Sequence, residues 1–498
     1  MTVQDDGSPE TWRERALLPA LVFMGLVVAV VSSLGAPLIP TIAQVDHVSL
    51  SDAQWSLTIT MLVGAVATPT MGRLGDGPRR REVILGALFA ALCGSILAAL
   101  PLGFGFLIVG RALQGIGLGL TSLAMATARD VMRAHRVRPA VALLSITTVA
   151  GVGMGYPITG LITQSFSYHA AFWFGAVVTG LALLTAWVLV PATSDLPARP
   201  IDTLGAGLLG VALALLLLGL SQAESWGWTS APVLGLAAVA VVLLAGWTWH
   251  ELHTELPLVD LRMVRHPAVL TADVTGLVAG VGMYLLMSAV VRFVQTPRST
   301  GYGLGESVVV AGLVLVPFSI ASVTANRVSS IIARRTSVYF VLPAGCAMFV
   351  ASMVMFGLAR GSLWQVVVVM TIAGLGVGCT FSAMPGLIVA NVPANETGSA
   401  LSFNQVLRYV GMAIGSALSA TVLDAYTPSG QALPHDAGYG MVALIGCVVW
   451  AVAGVISFTL PRRGKTAAFD EVLSDESMAD GLGEADGVVD YNKTVVVR

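Results

Sequence analysis

The sequence predicts an all-α integral membrane protein: fourteen transmembrane helices, with two pseudo-symmetric six-helix bundles separated by two inserted helices. Three observations predict it. Of 498 residues, 56% are hydrophobic and 11% charged, whereas soluble domains carry about 25% charged residues. Fourteen apolar runs are long enough to span a bilayer, which takes about 20 residues in a helix. A basic pattern near residue 72 recurs near residue 326.

The first run, 17–40, follows a polar segment ending at Arg15. It is too long for a signal-peptide core, and no clean cleavage site follows it. The next five runs cover 55–75, 83–101, 104–127, 140–163 and 170–191. Two shorter ones follow at 204–221 and 231–250. The last six are 269–294, 306–327, 338–358, 364–390, 402–424 and 439–461. The expected plan is a cytoplasmic N-terminus (1–16), a six-helix bundle (17–191), two inserted spans (204–250), a second bundle (269–461) and a tail (462–498).

Arginines orient these spans. Arg79, Arg80, Arg81, Arg133, Arg136, Arg138, Arg262, Arg265, Arg334, Arg335, Arg462 and Arg463 fall in one set of connections. The opposite set holds Arg298 and Arg360, with Arg292 near a helix end. By the positive-inside rule the arginine-rich side is cytoplasmic, so both termini are inside the cell membrane. The tail carries eight acids from Asp470 to Asp490 with few large apolar residues, the composition of a disordered segment.

The duplication is visible in short stretches. "GRLGDGPRRR" (72–81) and "NRVSSIIARR" (326–335) share Arg73/Arg327, Arg80/Arg334 and Arg81/Arg335 at the same spacing. "GRALQGIGLG" (110–119) has a glycine-rich analogue in "GLGVG" (374–378). Duplicated halves are a common plan for transporters, with a substrate site between them.

Together these segments resemble the major facilitator superfamily, and more narrowly its fourteen-span drug:proton antiporters. Gly72, Asp76, Arg80 and Arg81, with Arg73, resemble the family's first cytoplasmic loop motif. "RALQGIG" (111–117) resembles the motif with a membrane-embedded arginine, and "GVGMGYPITG" (151–160) the motif of the antiporter branch. The resemblance implies that the loop acts as a latch between the halves. In that role, Asp76 would accept hydrogen bonds from an arginine or from a neighbouring helix N-terminus. It also implies that Gly151, Gly155, Pro157 and Gly160 form a kinked, closely packed helix. The chain departs from the family in two places. Gly77 follows the acid where a basic residue is usual, and span one carries no acid, with Val28 near the expected position.

Charges inside spans are costly and normally face a cavity or a partner. Arg111, with Gln114 three residues on, shares one helical face in span four. Asp273 in "LTADVTG" is either the acid that carries the proton or a residue of the helix end or gate. Asn404 and Arg408 share a face of span thirteen, where Gly411 and Gly415 form a small-residue strip. Arg408 is either a cavity charge or a snorkelling anchor. Met283, Tyr284, Met287, Phe318, Phe381 and Phe403 are candidates to line a cavity, and equally ordinary residues of membrane helices.

Other functions find little support in the sequence. The seven histidines fall at helix ends or loops, and "HELH" (250–253) lacks the HExxH spacing of zinc sites. No P-loop occurs, and the four cysteines form no CxxC pair. The expected function is export of small amphiphilic molecules in exchange for protons by a monomer. No cofactor, metal or nucleic acid is expected. Proton-coupled uptake, a membrane enzyme and a non-transporting sensor are the alternatives.

Overall fold

The structure, a computed structural model, describes residues 12–35, 38–192, 202–337, 340–428 and 433–459. The expected acidic tail and most of the N-terminal segment lie outside these residues. Among the described residues, fourteen helices are long and apolar enough to cross a membrane. In order they are α1 (Trp12–Ser33), α2 (Asp52–Gly75), α3 (Arg80–Ala99), α4 (Phe104–Val131), α5 (Arg136–Ser165), α6 (Tyr168–Leu189) and α7 (Thr203–Ala223). The others are α8 (Ala231–His253), α9 (Pro267–Gln295), α10 (Val308–Arg335), α11 (Val341–Leu358), α12 (Leu363–Asn391), α13 (Thr397–Ala425) and α14 (Asp436–Phe458).

Local chemistry sets many helix starts. Ser49 accepts from the Asp52 amide ahead of α2, Asp202 caps α7, and Ser307 caps α10. Ser362 and Gln365 form a reciprocal capping box at α12. The first span differs from the expected run 17–40: α1 ends at Ser33, and a separate short helix follows at Ile39–Val45. Pro40 stands in that helix's first turn, where its missing N–H costs nothing.

The pairing of helices repeats between halves. In the first half α1 packs on α5 and α6, α3 on α4 and α6, and α2 on α4. In the second half α9 packs on α13 and α14, α11 on α12 and α14, and α10 on α12. Each pair is the same pair shifted by eight helices. Between the halves α2 meets α13 and α5 meets α10, which are again one pair under that shift. Glycines allow matching approaches within each half. A Cβ on Gly110 would lie 2.6 Å from the Gly94 carbonyl, and one on Gly376 would lie 2.7 Å from the Gly345 carbonyl.

The two inserted helices pair with each other, and α7 packs against both α2 and α13. It therefore covers one seam between the halves. By contrast α8 leaves Val239, Val241, Val242 and Trp249 exposed, an apolar face suited to lipid.

Candidate functional site

At the arginine-rich end, the first half caps helices of the second. Helix α13 has no side-chain cap of its own, so its first amides need acceptors from elsewhere. Asp76, at the C-terminus of α2, supplies them. Its carboxylate accepts from the Gly398 amide at 2.7 Å, the Ser399 amide at 2.9 Å and the Ser399 hydroxyl at 2.6 Å. These are the groups an N-cap normally satisfies, here bonded by a residue 322 positions away in the chain. Burial pushes the Asp76 carboxyl up to about 6, against the hydrogen bonds of Ser399 and Gly398 and the charge of Arg80.

Arg129 does the complementary work at the other polarity. It donates to the carbonyls of Val392 (2.9 Å) and Pro393 (3.4 Å) at the end of α12, and to the Thr397 hydroxyl. A cation is favoured at a helix C-terminus. Arg73 pairs with Glu396 at 2.7 Å. Arg80 pairs with Asp130 at 2.6 Å and donates to the Gly75 carbonyl. Gly72 lies against Gly398 and Ser402, with no room for a Cβ. Arg81 is not part of this contact; it donates to the Trp187 carbonyl within the first half. The Asp76 partner is thus a helix N-terminus rather than an arginine, while Glu396, Asp130 and Arg129 were not singled out by the sequence.

A cavity of about 230 Å³ lies between the halves. Its lining comes from α1, α2, α4, α5, α7, α9 and α13, and includes Thr58, Tyr156, Ser221, Met283, Tyr284 and Tyr409. Tyr409 donates to the Leu118 carbonyl at 3.4 Å. The cavity uses the portions of α2 and α13 away from the arginine-rich end, Gln54–Met61 and Tyr409–Ala420, whereas Asp76, Gly398 and Ser399 join their other ends. Helix α7 supplies Leu217, Leu220 and Ser221, and the Ser221 hydroxyl bonds Thr58 at 2.9 Å. Of the apolar candidates, Met283 and Tyr284 face the cavity. Phe318 and Phe381 are fully buried in packing, and Phe403 stacks on Trp247.

The buried charges stand behind this wall rather than in it. Arg111 is 0% exposed. It donates to the carbonyls of Val31 (3.0 Å), Ser32 (2.7 Å) and Ser56 (2.9 Å), and to Gln114 (2.6 Å). Gln114 in turn donates to Ser95. One guanidinium therefore ties α4 to α1 and α2, using donors that a lysine lacks. Arg408 does not snorkel. It is 1% exposed, donates to Ser145 at 3.1 Å and to Gln405, and lies 4.7 Å from the Phe381 ring centre. Asp273 accepts from Asn404 at 3.0 Å. It lines a separate small pocket toward the arginine-rich end, with Asp260, Glu396 and Ser399.

The glycines of α5 serve two neighbours. Gly151 and Gly155 lie against Ala29, Val30 and Ser33 of α1. Gly153 meets Ser319 and Leu315 of α10, and Gly160 faces Val309. Pro157 adjoins Gly312. Helix α5 is therefore held between its own bundle and the opposite one. A larger recess of about 780 Å³ opens elsewhere, beside Phe293, Tyr302 and Arg360. Its charges are paired, Arg360 with Asp436 at 2.7 Å and Arg298 with Glu306 at 3.3 Å. It does not lie between the halves.

Comparison with known proteins adds a family match. Residues 21–416 match the family model described as Major Facilitator Superfamily. An uncharacterized MFS-type transporter of Mycobacterium tuberculosis is 30% identical over 421 residues, covering 81% of this chain. The match spans 59% of that relative's length. The tetracenomycin C resistance and export protein of Streptomyces glaucescens is 28% identical, covering 79% of this chain and 73% of the relative. Multidrug resistance protein 3 of Bacillus subtilis is 26% identical, with 76% and 73% covered. The solved human organic anion transporter MFSD10 (TETRAN) shares the fold, with a TM-score of 0.62 at 16% identity, covering 90% of this chain and 100% of that one.

Proposed function

The chain belongs to the major facilitator superfamily, and we propose that it exports small amphiphilic molecules across the plasma membrane in exchange for protons. The observation that carries this reading is the pairing of a between-halves cavity with a closed opposite end. The cavity reaches one ends' set of α2 and α13, while Asp76, Arg129 and Arg73 bind the other ends together. Breaking those caps while closing the cavity mouth gives alternating access around a fixed site. With the arginine-rich end cytoplasmic, the structure is the state closed to the cytoplasm. The trans caps are the latch of that state, and the α5 glycines limit leakage along the other seam.

We assign the proton to Asp273. Span one offers no acid, and Asp273 is 2% exposed with Asn404 as its hydrogen-bond partner. No arginine pairs with it among the described residues. One relative named for resistance and export and another named for multidrug resistance, at 26–28% identity, support export over uptake. Inverted vesicles containing the protein test the reading. An imposed proton gradient should drive an amphiphile into the lumen, an uncoupler should stop it, and Asp273→Asn should abolish gradient-driven accumulation while passive exchange continues. Undiminished pumping by Asp273→Asn rules out this assignment.

A further inference from the structure

The charge distribution around the cavity points to the class of molecule it takes, given the proposed reading that the cavity is the transport site. Among the described lining residues there is no Asp or Glu, and Arg292 is the one charged side chain. Two more arginines stand immediately behind the wall. Arg111 holds the carbonyl of Ser32, a lining residue, and Arg408 donates to Gln405, which donates to the hydroxyl of Tyr409, another. All hydrogen-bond partners of Arg111 are neutral: three carbonyls and Gln114. Those of Arg408 are Ser145 and Gln405, and its Nε has none. Their charge is therefore not cancelled by a bonded carboxylate, and in a low-dielectric interior it projects into the cavity. The buried Asp273 is turned to Asn404 and to a different pocket.

The rest of the wall is complementary to an oxygenated aromatic. Tyr156, Tyr284 and Tyr409 line it, a side-chain type suited to stacking and hydrogen bonding together, although the Tyr409 hydroxyl is already bonded to Gln405 and Leu118. Met61, Met283 and Met412 supply adaptable apolar contact. We propose that the substrates are anionic or uncharged aromatic amphiphiles carrying hydrogen-bonding oxygens, and that lipophilic cations are disfavoured.

The test uses three probes with one aromatic core and different charge: pyrenebutyrate, pyrenebutanol and pyrenebutyl-trimethylammonium. Binding to the full-length protein in lipid nanodiscs is measured by fluorescence against empty nanodiscs. Pyrenebutyrate should bind at least tenfold tighter than the ammonium probe, with the alcohol between them. Arg292→Gln should weaken the butyrate at least threefold and leave the alcohol unchanged. Tightest binding by the ammonium probe, or binding of none of the three, would overturn the proposal. Uptake of the same probes into inverted vesicles separates the two readings. The predicted binding order without gradient-driven uptake would refute proton-driven export and leave the charge preference standing.

Discussion

Replacing Asp76 with alanine removes the acceptor for three donors at the start of α13. In the latched state two amides and a hydroxyl would then be buried without partners. Loss of an N-cap costs about 0.5–2 kcal/mol, and a buried unsatisfied donor costs about 1–3 kcal/mol. Opening the latch lets water reach these groups, so the penalty falls on the latched state alone. Taking about 2–3 kcal/mol in total, the ratio of latched to open molecules should drop about 30- to 150-fold, at ~1.4 kcal/mol per decade. A cysteine at Ser416, which lines the cavity, reports the change. Its labelling by a membrane-impermeant thiol reagent from outside should slow markedly in Asp76→Ala, measured against the parent with its four native cysteines. An unchanged labelling rate, in a variant that inserts normally, would refute the trans-capping argument.

The same carboxyl should make the proposed latch pH-dependent. Its value is about 6 in the latched state against 3.8 for the unperturbed group, so the latched state holds the proton more tightly. Latching should therefore strengthen as cytoplasmic pH falls from 7 to 5, by about 1.3 kcal/mol or about tenfold. Ser416→Cys labelling should track this in the parent and lose the dependence in Asp76→Asn. Arg111→Lys and Arg111→Ala should both reach the membrane and fail in efflux, because neither supplies the fork that joins α1, α2 and α4; normal efflux counts against it. Gly411→Ala should destabilise the protein by about 1–3 kcal/mol, since a Cβ there meets the Leu277 carbonyl. Gly386→Ala, which has open space, should leave the thermal midpoint unchanged.

The span count was legible because a membrane helix is a local object. Some twenty apolar residues suffice, whatever the rest of the chain does. The Arg73/Arg327 and Arg80/Arg334 match exposed the duplication for the same reason, since a repeat can be seen by comparing two short stretches. The embedded residues Arg111, Asp273 and Arg408 also stood out locally, as charges in apolar runs. Their partners did not. Arg111 bonds mainly to main-chain carbonyls, and every residue has a carbonyl, so no side-chain pattern marks Val31, Ser32 or Ser56. Asp76 finds amides more than three hundred residues away, and only the packing of α2 on α13 brings them together. Helix α7 became a cavity wall for the same reason: its sequence says that it is apolar, whereas its place against α2 and α13 turns Ser221 toward Thr58. Composition and periodicity determine which segments are helices in lipid. Which face of each helix meets another, and hence where the cavity and the trans caps lie, is decided by tertiary packing over long sequence separations.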